Sequence, residues 1–141
     1  MQKIYFFFQH PTTLRNRGNL KACLAHLFEV EKQPLESLNF VFTNDEELLT
    51  INQQYLKHDY YTDIITFDLA AKGQPTQGDV YISVERVKDN ARQLGISFYK
   101  ELHRVMFHGA LHLCGYGDKT AKEEKKMRQM ENKYLDLYFT K

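Results

Sequence analysis

The sequence is poor in cysteine and in net charge. Its 141 residues include two cysteines, Cys23 and Cys114, and the formal net charge is only +1. One disulfide is arithmetically possible, but two cysteines do not make the framework of a small secreted protein, and we interpret both as core residues. Because the charge is nearly balanced, no global basic field indicates nucleic acid, although a local basic patch could suffice.

Long apolar runs are missing as well. Residues 4–8 are apolar, but they are far too few for a membrane span or for the centre of a secretory signal. We find neither an internal repeat nor a low-complexity segment nor a convincing linker. These absences favour a soluble, cytoplasmic protein with no membrane partner. At this length we expect a single domain, residues 1–141, with a genuine core.

Hydrophobic periodicity divides the chain into alternating elements. We predict four strands, at residues 4–8, 38–43, 64–67 and 80–83, with a loop at 57–62 and a turn at 71–78. Helices are predicted over about 20–33, after 44 or 45, over 83–95, from 97 and from 120. This order indicates the α+β class, with a small four-stranded mixed sheet covered by about five helices in two or three layers. The strand order cannot be predicted from the pattern.

The most informative segment runs from His108 to Asp118, with the sequence HGALHLCGYGD. Histidines four residues apart share one face of a helix, so the His108 and His112 rings can converge on one ion. Gly115 can end the helix in the left-handed conformation, and the chain can then bring Asp118 back. The ligand spacing is that of the extended zincin motif. Gly109, however, stands where those proteases carry a glutamate.

Two imidazoles and one carboxylate are typical of catalytic rather than structural zinc sites, because a coordination position is left for water. Zinc lowers the pKa of its bound water to about 7, so these residues by themselves indicate a metal-assisted hydrolase with one Zn²⁺. The same donors also suit nickel or iron. An isolated histidine pair at this spacing is more often structural. The helix-ending glycine and the third donor favour the metal site.

Three segments, in order, resemble the YbeY family of metal-dependent endoribonucleases involved in ribosomal RNA maturation. Residues 108–119, HGALHLCGYGDK, resemble the family hallmark HGxLHLxGYDH. Residues 52–67, NQQYLKHDYYTDIITF, resemble NxxYRxxDxxTDVLSF, and residues 78–83, GDVYIS, resemble GDIxIS. Met127 and Glu131 match the family's final helix. The resemblance spans roughly residues 38–135.

The resemblance implies a zinc-dependent endoribonuclease acting on single-stranded RNA, in ribosomal RNA maturation and ribosome quality control. Its implied partners are ribosomal RNA and the small ribosomal subunit with its proteins. The implied metal ligands are His108, His112 and Asp118. An extra residue, Gly117, shifts the register, so that Asp118 takes the position of the family's third histidine. An oxygen ligand is compatible with zinc, but its negative charge should make the bound water a weaker acid.

A second departure is Leu56, which stands where the family has an arginine implied to contact phosphate or to stabilise charge. Lys57 or Arg104 could take over that role. Arg104 lies one helical turn before His108 on the same face, where a guanidinium could meet a phosphate. A surface role in an ion pair is an equal alternative for Arg104. We predict Arg104 as catalytic and Lys57 as substrate-binding.

Three further residues are implied by the family segment before the third strand. Thr62 and Asp63 match family positions and could orient a metal ligand or the substrate, or could cap a turn. We predict Asp63 as catalytic, and Thr62 and Thr66 as substrate-binding.

Several other polar and aromatic residues are expected to be bystanders. Glu101 lies on the metal face of its helix, but it is expected to be a surface charge. His58 and His103 are expected to be exposed and uninvolved. Tyr60 and Tyr61 could stack on bases, although aromatic residues beside a strand are more often part of the core.

Two other functions remain open. The protein could be a zinc hydrolase of another substrate, such as a peptide, but Gly109 lacks the carboxylate that serves as the usual general base of zinc proteases. It could also be a ribosome-associated assembly factor with a mainly structural metal. Leu56 favours this last alternative.

Overall fold

The structure, a computed structural model, describes residues 3–58 and 60–140. Asp59, in the predicted loop 57–62, lies outside these described residues. The strands are β1 Lys3–Phe8, β2 Leu35–Thr43, β3 Ile64–Asp68 and β4 Thr76–Ser83. The helices are α1 Arg17–Val30, α2 Asp45–Ile51, α3 Val84–Leu94, α4 Phe98–Leu113 and α5 Ala121–Phe139. A π-helical turn, Asn52–Leu56, continues α2.

The four strands form one sheet in the order β1-β2-β4-β3. β1 pairs with β2 and β2 with β4 in parallel, whereas β3 pairs with β4 antiparallel. The predicted α+β class and the mixed sheet are therefore confirmed. β1 and β3 form the two edges, and β3 is the edge beside α4. None of the helices in residues 3–58 and 60–140 is long and apolar enough to span a membrane.

Side chains that accept backbone N–H groups begin four of the helices. These caps are Asn44, Ser83, Ser97 and Thr120, and all four were predicted as helix starts. Thr120 also forms a reciprocal capping box with Glu123. The short polar side chains thus fix the start of each helix, including the helix that carries the two histidines.

Helix α4 packs directly on the sheet because two glycines remove side chains from the contact. A Cβ atom on Gly109 would lie 2.9 Å from Val80 Cγ1, and one on Gly78 would lie 2.5 Å from Leu113 Cδ1. The buried face of α4 includes Leu102, Val105, Met106, Gly109 and Leu113, as the helical spacing predicted. A neighbouring side of α4 faces α5, and the site lies between these two helices and the edge strand β3.

Two strands are longer than the sequence indicated. β2 begins at Leu35 instead of residue 38, and β4 begins at Thr76, inside the predicted turn 71–78. Leu35 pairs with Thr76 in the parallel register, and Thr76 N donates to Pro34 O over 2.8 Å. Pairing between strands distant in sequence extends both, and local periodicity does not contain that information.

Four polar or aromatic side chains lie in other surroundings than predicted. His103 and Glu101, expected at the surface, are 0% and 5% exposed. His103 Nδ1 lies 2.7 Å from Tyr99 O, and its ring packs against the Tyr99 ring. His103 therefore belongs to an aromatic cluster that forms only in the tertiary structure. Tyr60 and Tyr61, expected in the core, are 56% and 48% exposed. Cys23 is buried and Cys114 packs against the core, as expected for both.

Candidate metal centre

A cavity of about 910 Å³ lies between β3, α4, α5 and the loop that follows α4. Among the residues lining it are most of those predicted for the site, namely Thr62, Asp63, Thr66, Arg104, His108, His112 and Asp118. The structure thus brings together side chains that are more than 50 residues apart in sequence. The exception is Lys57, which is exposed at the end of the π-helical turn and does not line this cavity.

His108 is oriented by a buried carboxylate on α5. Its Nδ1 lies 2.7 Å from Glu131 Oε2, and Glu131 is only 4% exposed. A carboxylate partner makes Nδ1 the protonated nitrogen, so the lone pair is left on Nε2. That Nε2 atom lies 3.2 Å from Asp118 Oδ2.

His112 is oriented in the same way by the backbone. Its Nδ1–H donates to Tyr116 O over 3.2 Å, which leaves Nε2 without a proton. Hydrogen bonds to carboxylates and carbonyls are the usual means by which proteins fix histidine ligands for a metal. Both rings are therefore held in the tautomer that a divalent cation requires.

Asp118, the third predicted ligand, lies on the loop that follows α4. Its side chain is 44% exposed and contacts His108 Nε2, the atom that a metal would coordinate. Within the part of the chain that the structure describes, no three side chains of His, Cys, Asp or Glu lie close enough together to hold a metal ion as they stand. The chemistry of the donors nevertheless fits a divalent ion, because two oriented imidazoles and a neighbouring carboxylate are a known zinc set.

A network of ion pairs extends from His108 through Glu131 to Arg104 and Glu101. Arg104 Nη1 lies 3.4 Å from Glu131 Oε1 and 3.0 Å from Asn132 Oδ1. Its Nε lies 3.3 Å from Glu101 Oε1. Arg104 therefore compensates the two buried carboxylates, one of which holds His108. It still lines the cavity, and its side chain is 13% exposed.

Burial and these charges shift the pKa values of the site. Burial raises the pKa of the Asp63 carboxyl, and the nearby His108 opposes this only in part. Burial also raises the pKa of Glu101, against the pull of Arg104. For His108, burial would lower the pKa, but the hydrogen bond and charge of Glu131, with Asp118, raise it above its ordinary value. Asp63 is thus more easily protonated than an ordinary aspartate.

Some features of the cavity were missed by sequence reasoning. Glu131 matched a family position, but its contact with His108 was not foreseen because the two residues lie on different helices. Lys119, Lys125 and Arg128 add positive charge to the cavity wall. The signal available for α5 was its helical spacing, which places Arg128 and Glu131 on one face.

The comparison with protein families identifies the chain's relatives. The family model described as Endoribonuclease YbeY matches residues 10–138. The chain belongs to the YbeY family. The resemblance of the three sequence segments to this family is therefore confirmed.

Relatives of the YbeY family cover nearly the whole chain. The Endoribonuclease YbeY of Cytophaga hutchinsonii is 45% identical, over 96% of this chain and 96% of its own length. That of Christiangramia forsetii is 40% identical, over 96% and 94%. The solution structure of TM1509 from Thermotoga maritima matches with a TM-score of 0.62 and 28% identity, covering 99% of this chain and 90% of that one.

Proposed function

We propose that this YbeY-family chain is a single hydrolase domain that cleaves single-stranded RNA as a zinc-dependent endoribonuclease. The family is metal-dependent, and the two relatives described above are named endoribonucleases. The proposed setting is ribosomal RNA maturation and quality control in the cytoplasm. The proposed partners are ribosomal RNA and the small ribosomal subunit with its proteins.

The observation that carries the proposal is the orientation of the two histidines. Glu131 and Tyr116 O accept hydrogen bonds from the Nδ1–H groups, so the Nε2 lone pairs of His108 and His112 are available, and that of His108 lies next to Asp118. We assign one Zn²⁺ to these three side chains. Bound zinc would supply a Lewis acid and a water with a pKa near 7, about nine units below that of bulk water.

The other residues of the cavity suit a phosphodiester. Lys119, Lys125 and Arg128 line its wall, and cationic side chains attract and position phosphate groups. Arg104 lies deeper, where its guanidinium is already paired with Glu101 and Glu131. We propose that Arg104 positions the site and meets the phosphate only with the part of its side chain that faces the cavity.

Asp63 is the proposed proton acceptor. It lines the cavity near His108, and burial raises the pKa of its carboxyl towards the range in which it can take a proton from an attacking water. Asn90 Nδ2 donates to Asp63 Oδ2 over 3.3 Å, which fixes the position of the carboxylate. Thr62 and Thr66 offer hydroxyl groups beside it for the substrate. Lys57 could meet RNA only outside the cavity.

Peptide hydrolysis by the zincin route is disfavoured by packing. The protease glutamate would have to stand at Gly109, where even a Cβ atom would lie 2.9 Å from Val80 Cγ1. No side chain fits there while α4 rests on the sheet. The assembly-factor function has one supporting observation: Leu56, in place of the family's arginine, lines the cavity.

The proposal is tested by metal analysis together with RNA cleavage, on wild type, Asp118→Ala and the control Glu124→Ala. Glu124 lines the same cavity but has no contact with either histidine in the described residues. Stoichiometric zinc and cleavage in the wild type and the control, both lost in Asp118→Ala, are the expected result. Zinc retained by Asp118→Ala would remove Asp118 from the ligand set. Zinc without cleavage by the wild type would favour the assembly factor.

A further inference from the structure

The two faces of the sheet differ in what covers them. Paired residues share a face and neighbours along a strand alternate. The register Tyr5–Asn39–Asp79–Phe67 and the register through Phe7 and Tyr81 therefore place these rings on the face opposite α4. Tyr55, from the π-helical turn, packs edge-on against Phe67, with 6.0 Å between ring centroids. We call the surface formed by Tyr5, Phe7, Tyr55, Phe67 and Tyr81 the aromatic face.

The rings of the aromatic face are accessible. Tyr5, Phe7 and Tyr55 are 47%, 50% and 68% exposed, and Phe67 and Tyr81 are half-buried. Aromatic side chains this large usually lie in a core or at an interface. The aromatic face therefore has the character of a contact surface.

Cations stand along the free edge of β1. Lys21 Nζ lies 5.8 Å from the ring centroids of both Tyr5 and Phe6, which point to opposite faces of the strand. The ammonium group must therefore lie at the edge between the two faces. Lys3, two residues before Tyr5 on the same face of β1, is exposed.

The charge of this region is one-sided. The first 28 residues contain four cations and no Asp or Glu, whereas the remaining sequence has fifteen Lys and Arg against eighteen acids. Ion pairs among the described residues involve Arg86, Arg92, Arg104, Arg128 and His108. None of them uses a cation of this first segment, so its charges are available to a partner.

We propose that single-stranded RNA crosses the aromatic face on its way to the cavity. Its phosphates would meet Lys3 and Lys21 at the β1 edge, and its bases would stack on Tyr5 and Phe7. Interleaved cations and exposed rings are the features by which sheets bind single strands without reading sequence. This inference rests on the proposed function and adds a second RNA contact, remote from the metal.

The geometry connects this surface to the site. β1 and β3 are three strand spacings apart, about 14 Å. Tyr81 on β4 and Phe67 on β3 continue the aromatic face beyond β2, which contributes Asn39 and Val41 to it. Tyr55 ends the row, and the next residue, Leu56, lines the cavity. An RNA strand that enters at the β1 edge therefore meets aromatic rings before and after β2 on its way to the site.

Charge favours RNA over a second copy of this chain. Beside the rings, Lys3 and Lys21 outnumber the one carboxylate of these registers, Asp79, which accepts a hydrogen bond from Asn39 Nδ2, so two copies would bring patches of the same sign together. Like charges placed opposite one another cost free energy, whereas phosphates are attracted by them. RNA is therefore the occupant that the charges fit.

The test compares two RNA lengths with the metal-loaded protein. Binding is measured by fluorescence anisotropy on a cleavage-resistant phosphorothioate RNA of about 12 nucleotides, long enough to cross the face. Cleavage is measured on an RNA of about four nucleotides, which fills only the cavity. Two double variants remove the rings: Tyr5→Ala with Phe7→Ala, and Tyr5→Leu with Phe7→Leu, which keeps apolar bulk. A single variant, Lys21→Gln, removes the charge.

Each kind of variant has a matched control. Leu94→Ala truncates another exposed apolar residue, 58% exposed, and Lys88→Gln changes another lysine beside a ring.

Both ring variants are expected to weaken binding of the longer RNA about tenfold or more, since stacking is lost in each. Lys21→Gln should lower the salt dependence of binding by about 0.7 in log–log slope. All variants should cleave the short RNA at the wild-type rate, and the controls should bind the longer RNA like the wild type.

Longer-RNA binding within twofold of wild type in the Leu variant would overturn the proposal. So would a wild-type dimer that the ring variants convert to monomers, because the face would then belong to a second copy. If the wild type binds the longer RNA but does not cut the short one, the proposed nuclease function fails and the RNA surface stands. If the wild type binds no RNA, both fail.

Discussion

The helix half and the loop half of the metal centre are built in different ways. His108 and His112 project from α4, whose other side is buried on the sheet, and Glu131 and Tyr116 O fix their rings. Asp118 follows the helix on a loop, and its carboxylate is 44% exposed. The histidine geometry is thus a product of core packing, while the third donor can vary without disturbing the core. The predicted third ligand, Asp118, therefore lies in the half that can vary.

The loop half is nonetheless restrained by hydrogen bonds to Glu31. Tyr116 OH donates to Glu31 Oε1 over 2.7 Å, and Tyr134 OH donates to Glu31 Oε2 over 2.8 Å. One carboxylate at the end of α1 thus connects the loop to α5. Glu31 also raises the pKa of Tyr116 to about 12, so the phenol stays a donor across the physiological range.

The largest loss of stability and metal affinity should follow a substitution that pushes α4 away from the sheet. Gly109→Val puts branched carbons where Cβ alone would lie 2.9 Å from Val80 Cγ1. We expect the free energy of unfolding to fall by about 2 kcal/mol or more, as for overpacked cores. Metal affinity should fall with it, because both histidines move with the helix. Chemical denaturation and zinc titration measure the two effects.

The matched control for Gly109→Val is Gly18→Val, at a helical glycine with open space around it. Its stability should stay within about 0.5 kcal/mol of wild type. Equal losses in the two variants would show that backbone propensity, and not the contact of α4 with the sheet, sets the stability.

The orientation of His108 can be weakened without disturbing the packing. Glu131→Gln keeps the shape but removes the charge that holds Nδ1–H, and loss of such a partner typically lowers metal affinity about 10- to 100-fold. Glu101→Gln is the control, since it removes an equally buried carboxylate that does not touch His108. Calorimetric zinc titration should separate the two variants. Identical affinities would mean that Glu131 has only a structural role.

The loop half should respond more mildly. Tyr116→Phe removes one hydrogen bond to a charged acceptor, which is typically worth about 1.5–3 kcal/mol. Because the loop is half-exposed, we expect the lower end of this range, with faster amide exchange at residues 115–118. Tyr55→Phe removes a hydroxyl from a 68% exposed ring and should change neither quantity. Unchanged exchange in Tyr116→Phe would show that Glu31 does not restrain the loop.

The smallest effect concerns Cys114, at the junction of the two halves. Burial, with the charge of Glu31, raises the pKa of its thiol to about 12. A raised thiol pKa disfavours the thiolate, so at pH 8 only about one molecule in ten thousand carries the reactive form. Iodoacetamide should therefore leave Cys114 unmodified in the folded protein at pH 8 and modify it after unfolding, as read by mass spectrometry. Rapid labelling of the native protein would contradict this.

Local features of the sequence predicted local structure well. Ser97 as a cap and the apolar spacing of α4 were sufficient to place His108 and His112 on one face. Tertiary contacts were not predictable in this way. The burial of His103 depends on rings from α4 and α5 that come together only in the fold, and the length of β2 depends on β4.

The same limit applies within the site. Composition and spacing cannot show that Glu131 would meet His108 across two helices, or that Arg104 would be paired with buried carboxylates. The nearness of Asp118 to His108 was predictable, because only a short loop separates Asp118 from His112 along the chain. Lys57, predicted to bind the substrate, ends the π-helical turn outside the cavity lining, and the sequence pattern gave no sign of that position.

The bond between Glu131 and His108 also bears on how the protein is made. Helix α5 follows every other element of the site along the chain, so it is synthesised after β3, α4 and the loop. A nascent chain that already carries both histidines lacks the carboxylate that orients the first of them until α5 docks. Because domains fold as units during synthesis, the centre should become competent only once this late helix is in place.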